Sequence, residues 1–303
     1  MNSHNKAVLM LLGTLAAVSL VTVLAKNTLK SVDFLSFVWL QMAFASSFML
    51  IIGLTNKQLG IKNIDLKVMS IIFAIGILNF AIVRGIFIYA LDLLPATTHA
   101  YVINFVGIVT MFLSTLILRE PPNLIQILGA VLALIGVRLY FWELPDGAEL
   151  RALLWLMGAV ICLALTNILM RYLHTINRNK ISNHQISTLS ILFGSIPLIL
   201  LGIASGNDIE EIKAYDWLII ALNAIVAICI GMIVFNHVLK TLKAFEASIL
   251  ASSGVIFTGI FSALLLEEVI SANEATGIVI MIAGIFIVQK FSKSSGWKKS
   301  PAK

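Results

Sequence analysis

Leu118-Arg-Glu-Pro-Pro-Asn-Leu-Ile-Gln-Ile-Leu-Gly129 returns 148 residues later as Leu266-Glu-Glu-Val-Ile-Ser-Ala-Asn-Glu-Ala-Thr-Gly277. In both stretches a glycine follows the glutamate (Glu120, Glu268) by nine residues, and a second glycine (Gly136, Gly284) follows seven later. Working outward, the same offset pairs Phe87 with Phe235, Leu91 with Leu239, Leu94 with Leu242 and Ala96 with Ala244. Nearer the start of each half the offset is 145, pairing Gly13 with Gly158 and Lys26 with Arg171. Apolar bias alone does not repeat glycines and charges at one spacing. The chain reads as a duplication, with one half over residues 1–143 and the other over 144–303.

What is duplicated follows from composition. Of 303 residues, 59% are apolar and 12% are charged, and the mean hydropathy is +1.00. A soluble domain carries about 25% charged residues, so a soluble enzyme, a nucleic-acid binder and a disordered chain are excluded early. Ten apolar runs approach or reach the roughly 20 residues needed to cross the hydrocarbon layer. They are 7–25, 34–54, 68–91, 98–118, 124–142, 152–170, 186–205, 217–239, 247–266 and 275–289. The first, behind Lys6, is long for a signal-peptide core and is read as a retained helix. The expectation is an all-α membrane protein of ten transmembrane helices.

Basic residues set its orientation. With the amino terminus in the cytoplasm, 15 of the 21 Lys and Arg fall on inner segments and 4 on outer ones, while Arg84 and Arg138 lie inside runs. Acidic residues run the other way, with only Asp65, Glu120 and Glu246 inside. Both termini are then cytoplasmic, and Trp39, Trp142, Trp155 and Trp217 fall near the outer interface. The basic runs 171–180 and 290–303 read as solvated flanks against anionic lipid. Five runs per half is an odd number, so the second half enters from the opposite side. Such inverted repeats place a substrate site near the midplane, where the two halves exchange conformations about it.

The repeat endings carry a resemblance. Tyr89-Ala-Leu-Asp-Leu-Leu-Pro-Ala-Thr-Thr-His-Ala100, the Leu118-Arg-Glu120 ending, Gly129 and Gly136, and their second copies through Glu268, Gly277 and Gly284, resemble the drug/metabolite transporter superfamily. Within it, the likeness is to EamA-type members with two five-helix repeats. The resemblance implies carriage of amino acids or related metabolites, often export, across an inner or plasma membrane. Two positions depart from the family's pattern. Gln41 stands where an arginine is common, and the proline common early in the helix before the glutamate is absent from both copies, near Asn104 and Ser252.

Candidate site residues are the polar groups inside the runs. Arg84 lies about two-thirds across the third run, where a guanidinium at mid-depth costs at least about 2.5–3.5 kcal/mol on insertion scales. Two readings stay open: a charge facing a central cavity, ready for a carboxylate or phosphate, or a side chain snorkelling outward to Asp92. Asn79, Tyr101, Asn104, Asn167, Asn236 and Ser252 complete the candidate cavity, and Tyr101 and Asn104 share a helical face. Each alone also fits a polar tie between helices. His99 and His237 lie at helix ends, where interfacial hydrogen bonding and a histidine proton relay are the two readings.

No carboxylate occupies a run core, so coupling through a buried acid is disfavoured. Cys162 and Cys229 show no metal or disulfide spacing, and no catalytic motif is present. The expectation is therefore a non-enzymatic carrier without metal or cofactor, whose partners are a small-molecule substrate and the lipid bilayer, not nucleic acid, with its oligomeric state open. Its substrate would be a small polar, carboxylate-bearing metabolite. A nucleotide-like cargo, favoured by a further basic residue facing the cavity, and a non-transporting scaffold are the alternatives.

Overall fold

The structure is a computed structural model that describes residues 3–55, 64–119, 121–140, 142, 147–177, 181–206, 211–251, 253–268 and 271–290. Every regular element among them is helical. The first half comprises α1 (Ser3–Thr28), α2 (Phe34–Thr55), α3 (Leu66–Gly76), α4 (Arg84–Leu93), α5 (Ala96–Ile103), α6 (Phe105–Leu113) and α7 (Leu124–Tyr140). The second comprises α8 (Gly147–Asn177), α9 (Asn183–Ser205), α10 (Ala214–Asn223), α11 (Gly231–Val238), α12 (Ala244–Ala251), α13 (Gly254–Leu265) and α14 (Ala272–Lys290).

Seven continuous helical runs are long and apolar enough to cross a membrane: His4–Thr28, Phe34–Thr55, Leu66–Leu93, Ala96–Leu118, Glu149–Ile176, Asn183–Ser205 and Ala214–Val238. Leu124–Tyr140, Gly254–Leu265 and Ala272–Gly284 are shorter apolar helices. With no water to satisfy backbone groups in hydrocarbon, helices are what such a chain must form. Leucines and phenylalanines such as Phe112, Leu200, Leu264 and Phe286 stay on the outside of the bundle. This is a multi-pass membrane protein.

The duplication is visible in backbone detail. Ile77–Val83 joins α3 to α4 as a π-helical stretch, and Ala224–Ile230 joins α10 to α11 in the same way, 147 residues on. Each such stretch widens the turn by one residue and breaks the regular hydrogen-bond ladder. Helices α5 and α6 meet at Asn104, whose N–H is bonded to the Tyr101 carbonyl at 3.1 Å, and Ser253 before α13 does the same to Leu250 at 3.0 Å. Past the end of the fourth run Arg119 turns left-handed (φ 55°), and Glu267 repeats it (φ 56°). A left-handed turn is unusual for residues with a Cβ. It lets Glu268 reach back to cap α5, accepting from the backbone N–H groups of Ala96 (3.0 Å) and Thr97 (3.4 Å) and from the Thr97 hydroxyl (2.9 Å). Glu120 lies outside the described residues.

Lys26 and Arg171, paired by the sequence offset, do the same job in each half. Lys26 Nζ donates to the Asp92 carbonyl and Arg171 Nη1 to the Leu239 carbonyl, both at 2.6 Å. These are carbonyls at the end of a helix, which lack an intrahelical donor. The halves interlock: α1 packs on α10 to α13, α8 packs on α3 to α6, and α7 lies along α14. Where α7 crosses α14 the repeated glycines face each other, Gly136 against Gly277 and Gly129 against Gly284. Trp39, near the start of α2, packs against Gly202, near the end of α9. Trp142 and Trp155 remain exposed.

Candidate functional site

Between the interlocked halves lies a cavity of about 300 Å³. Its walls are α1, the π stretch with α4, and α5 and α6 on one side, and α8, the second π stretch with α11, and α12 and α13 on the other. Most of the wall is apolar, with Leu15, Val18, Phe80, Phe87 and Met232 among its residues, and polar groups are few. That balance suits a small organic ligand held by a handful of directional contacts.

Arg84 lines this cavity. Its Nε donates to Gln41 Oε1 at 2.7 Å and its Nη2 to Asn223 Oδ1 at 2.7 Å. Gln41 Nε2 also donates to Asn223 Oδ1. Asn223 Nδ2 in turn donates to the Val21 carbonyl at 2.7 Å, which fixes the amide's orientation. Arg84 is not drawn outward to Asp92, whose carbonyl serves Lys26 instead. Among the described residues, no carboxylate joins the guanidinium and Nη1 has no hydrogen-bond partner. A cation held by neutral amides is positioned but not neutralised.

The other candidates divide. Asn79, Asn104 and Asn167 line the cavity with Arg84. Asn167 Nδ2 donates to Ser248 Oγ at 2.9 Å, tying α8 to α12, and Asn104 Nδ2 lies 3.0 Å from Met281 Sδ. Tyr101 and Asn236 stand outside the cavity. Tyr101 is stacked on Tyr140 with ring centroids 3.8 Å apart, because its face of α5 turns toward α7. Asn236 is consumed by an interhelical chain, bonding His174 Nε2 at 2.9 Å and Ser187 Oγ at 3.0 Å. Ser252 lies outside the described residues. Arg138, also inside a run by sequence, is exposed and sits 5.5 Å from the Trp142 ring centroid.

Three further residues matter that the sequence did not place in the candidate cavity. Gln41 and Asn223 orient Arg84. The signal for them was the cost of an isolated buried cation, which demands acceptors on neighbouring helices. His99 was read as an interfacial group. It is instead buried, 4% exposed, on the cavity wall, with its ring edge-on to Phe87 at 5.4 Å.

A sequence profile described as the EamA-like transporter family matches residues 5–142 and again 150–289. No curated protein matches the chain. Among solved structures, a protein crystal structure 14% identical in sequence covers 93% of this chain and 97% of its own, with a TM-score of 0.72. At that identity the likeness speaks for the fold.

Proposed function

The chain belongs to the EamA-like transporter family, and we propose that it is a secondary carrier exporting a small carboxylate-bearing metabolite, such as an amino acid or a related acid, by alternating access. The observation carrying this reading is Arg84, a cation on the cavity wall that is oriented by Gln41 and Asn223 and lacks an anionic partner among the described residues. A guanidinium presents parallel donors that match a carboxylate. Asn79, Asn104 and Asn167 supply neutral hydrogen-bonding groups around it. Tyr101 and Asn236 act in this scheme by holding helices, not by touching cargo.

The carrier is ten helices in two inverted halves, 1–143 and 144–303, in an inner or plasma membrane with both termini cytoplasmic. The basic residues support that orientation, and the mirrored π stretches and Lys26/Arg171 contacts support the two-fold relation. Its partners are the small-molecule cargo and the bilayer. A nucleotide-like cargo calls for a second basic residue at the cavity, and Arg84 is the one Lys or Arg among the described lining residues. A scaffold has no use for an unneutralised cation facing a cavity.

The test is thermal stabilisation of the purified protein across amino acids, other small acids and nucleotides, for wild type and Arg84→Ala. A ligand that binds the folded state raises its melting midpoint. We expect a shift with a carboxylate-bearing solute that Arg84→Ala abolishes. A shift of equal size in both proteins removes Arg84 from the site.

A further inference from the structure

Arg84 accounts for one end of a ligand, and the repeat identifies what receives the other. The offset of 148 that pairs Phe87 with Phe235 also pairs Arg84 with Met232. The two hold matching places in the backbone, at the start of α4 and α11, the helices that follow the π stretches. Both line the cavity, and so do Phe87 and Phe235 one turn further on. The wall is therefore built on paired positions, of which only one carries a charge. Asn223, which orients Arg84, has Ile75 at its own repeat position. Ile75 is buried and its side chain offers no acceptor. The other copy keeps neither the cation nor the amide.

What stands in their place is apolar. Met232 shares one buried cluster with Leu11, Met170 and Ile228, all of them on the cavity wall, and Phe235 packs against it. A methionine side chain is unbranched and polarizable, and adapts its shape to an apolar neighbour. Asn167 and Ser248 bring second-half polar groups to the wall, but neither is charged and they bond each other at 2.9 Å. Ser248 Oγ also donates to the Ala244 carbonyl at 2.8 Å. The charge balance points the same way. Among the described residues lining the cavity, Arg84 is the one Lys or Arg and there is no Asp or Glu. One cation balances one carboxylate. A second carboxylate against Met232 and Met170 would be desolvated without a counter-charge, which costs more than burying a methyl group there gains.

We infer that the cargo is a monocarboxylate with an apolar far end, and that Met232, holding in the second repeat the place Arg84 holds in the first, is the specificity-determining residue that rejects dicarboxylates of the same length. This rests on the reading of Arg84 as the carboxylate anchor and narrows it.

The test uses two pairs of compounds, each differing only at the far end of a six-carbon chain: hexanoate with hexanedioate, and norleucine with 2-aminohexanedioate. The second pair carries an amino group beside the carboxylate and the first does not. Binding to the purified full-length protein is measured by calorimetry for wild type, Met232→Leu, Met232→Gln, Met232→Lys and Arg84→Ala. In wild type at least one pair binds, and in it the methyl-ended compound binds on the order of tenfold more tightly than the diacid, or better. Met232→Leu keeps that preference. Met232→Lys, close to methionine in shape but ending in an ammonium, reverses it in favour of the diacid. Met232→Gln adds a neutral donor and loses part of the preference, and it decides the matter if the lysine variant does not fold. A diacid binding wild type as tightly as its methyl-ended partner, a preference unchanged in the folded Met232→Lys and Met232→Gln proteins, or no binding of either pair to wild type each overturns the inference. Arg84→Ala keeps the two readings apart: if it binds the methyl-ended compound as wild type does, the carboxylate anchor itself is wrong.

Discussion

Gly136 and Gly277 meet backbone to backbone, each carbonyl oxygen lying 2.6 Å from the place a Cβ on the other would take. Offset by 148 residues, Gly129 and Gly284 repeat the contact with roles exchanged, which is how a two-fold axis between two copies behaves. Hydrocarbon lipid gives α7 and α14 no hydrophobic drive to associate, so close backbone approach has to supply the attraction. A side chain here has backbone in its way and cannot rotate aside.

Gly136→Val should therefore lower the melting midpoint of the purified protein, at a cost of about 1–3 kcal/mol from overpacking. Gly277→Val should do the same, and the double variant should cost less than the sum because one opening serves both. Gly158→Ala is the control. Nothing lies within 4 Å of a Cβ there, so the substitution should be neutral or slightly stabilising, as for Gly to Ala in an open helix face. Equal losses at Gly136 and Gly158 would show that the crossing is not what the glycines serve.

The group of Arg84, Gln41 and Asn223 predicts non-additivity. Asn223→Leu removes an acceptor from the guanidinium and a donor from the Val21 carbonyl, which should cost about 1–3 kcal/mol. Arg84→Met removes the buried cation itself. In the Arg84→Met background most of the Asn223→Leu penalty attributable to Arg84 should vanish, leaving the losses to the Val21 carbonyl and to Gln41. Thermal melts of the four proteins measure the coupling. Additive effects would mean that the amides are not what holds the arginine.

How far the sequence carried these conclusions differs by residue. The repeat was legible because a backbone contact such as Gly136 to Gly277 tolerates only glycine, so duplication leaves the spacing intact. The cation was legible because charge in a hydrophobic run is rare and costly. Its partners were not, since Gln41 lies 43 residues before it and Asn223 139 after it, and one sequence does not state which helices meet. Tyr101 and Asn104 share a helical face in the ideal period, yet the turn at Asn104 sends the tyrosine ring to Tyr140 and leaves the asparagine at the cavity. The π stretches had no signal at all, as neither Ile77–Val83 nor Ala224–Ile230 contains proline or glycine.

Orientation is open to direct labelling. Lys30, after α1, and Lys240, after α11, are both exposed, and the positive-inside count sets them on opposite sides, Lys30 outside and Lys240 inside. In a Cys162→Ser, Cys229→Ser background, Lys30→Cys should react with a membrane-impermeant maleimide in intact cells. Lys240→Cys should react only after permeabilisation. The two positions follow an odd and an even number of expected crossings, so the pair tests the count of helices as well as their direction. Reaction of Lys240→Cys alone in intact cells would reverse the protein in the membrane, and reaction of both would break the inverted relation between the halves. The inverted arrangement requires one of each.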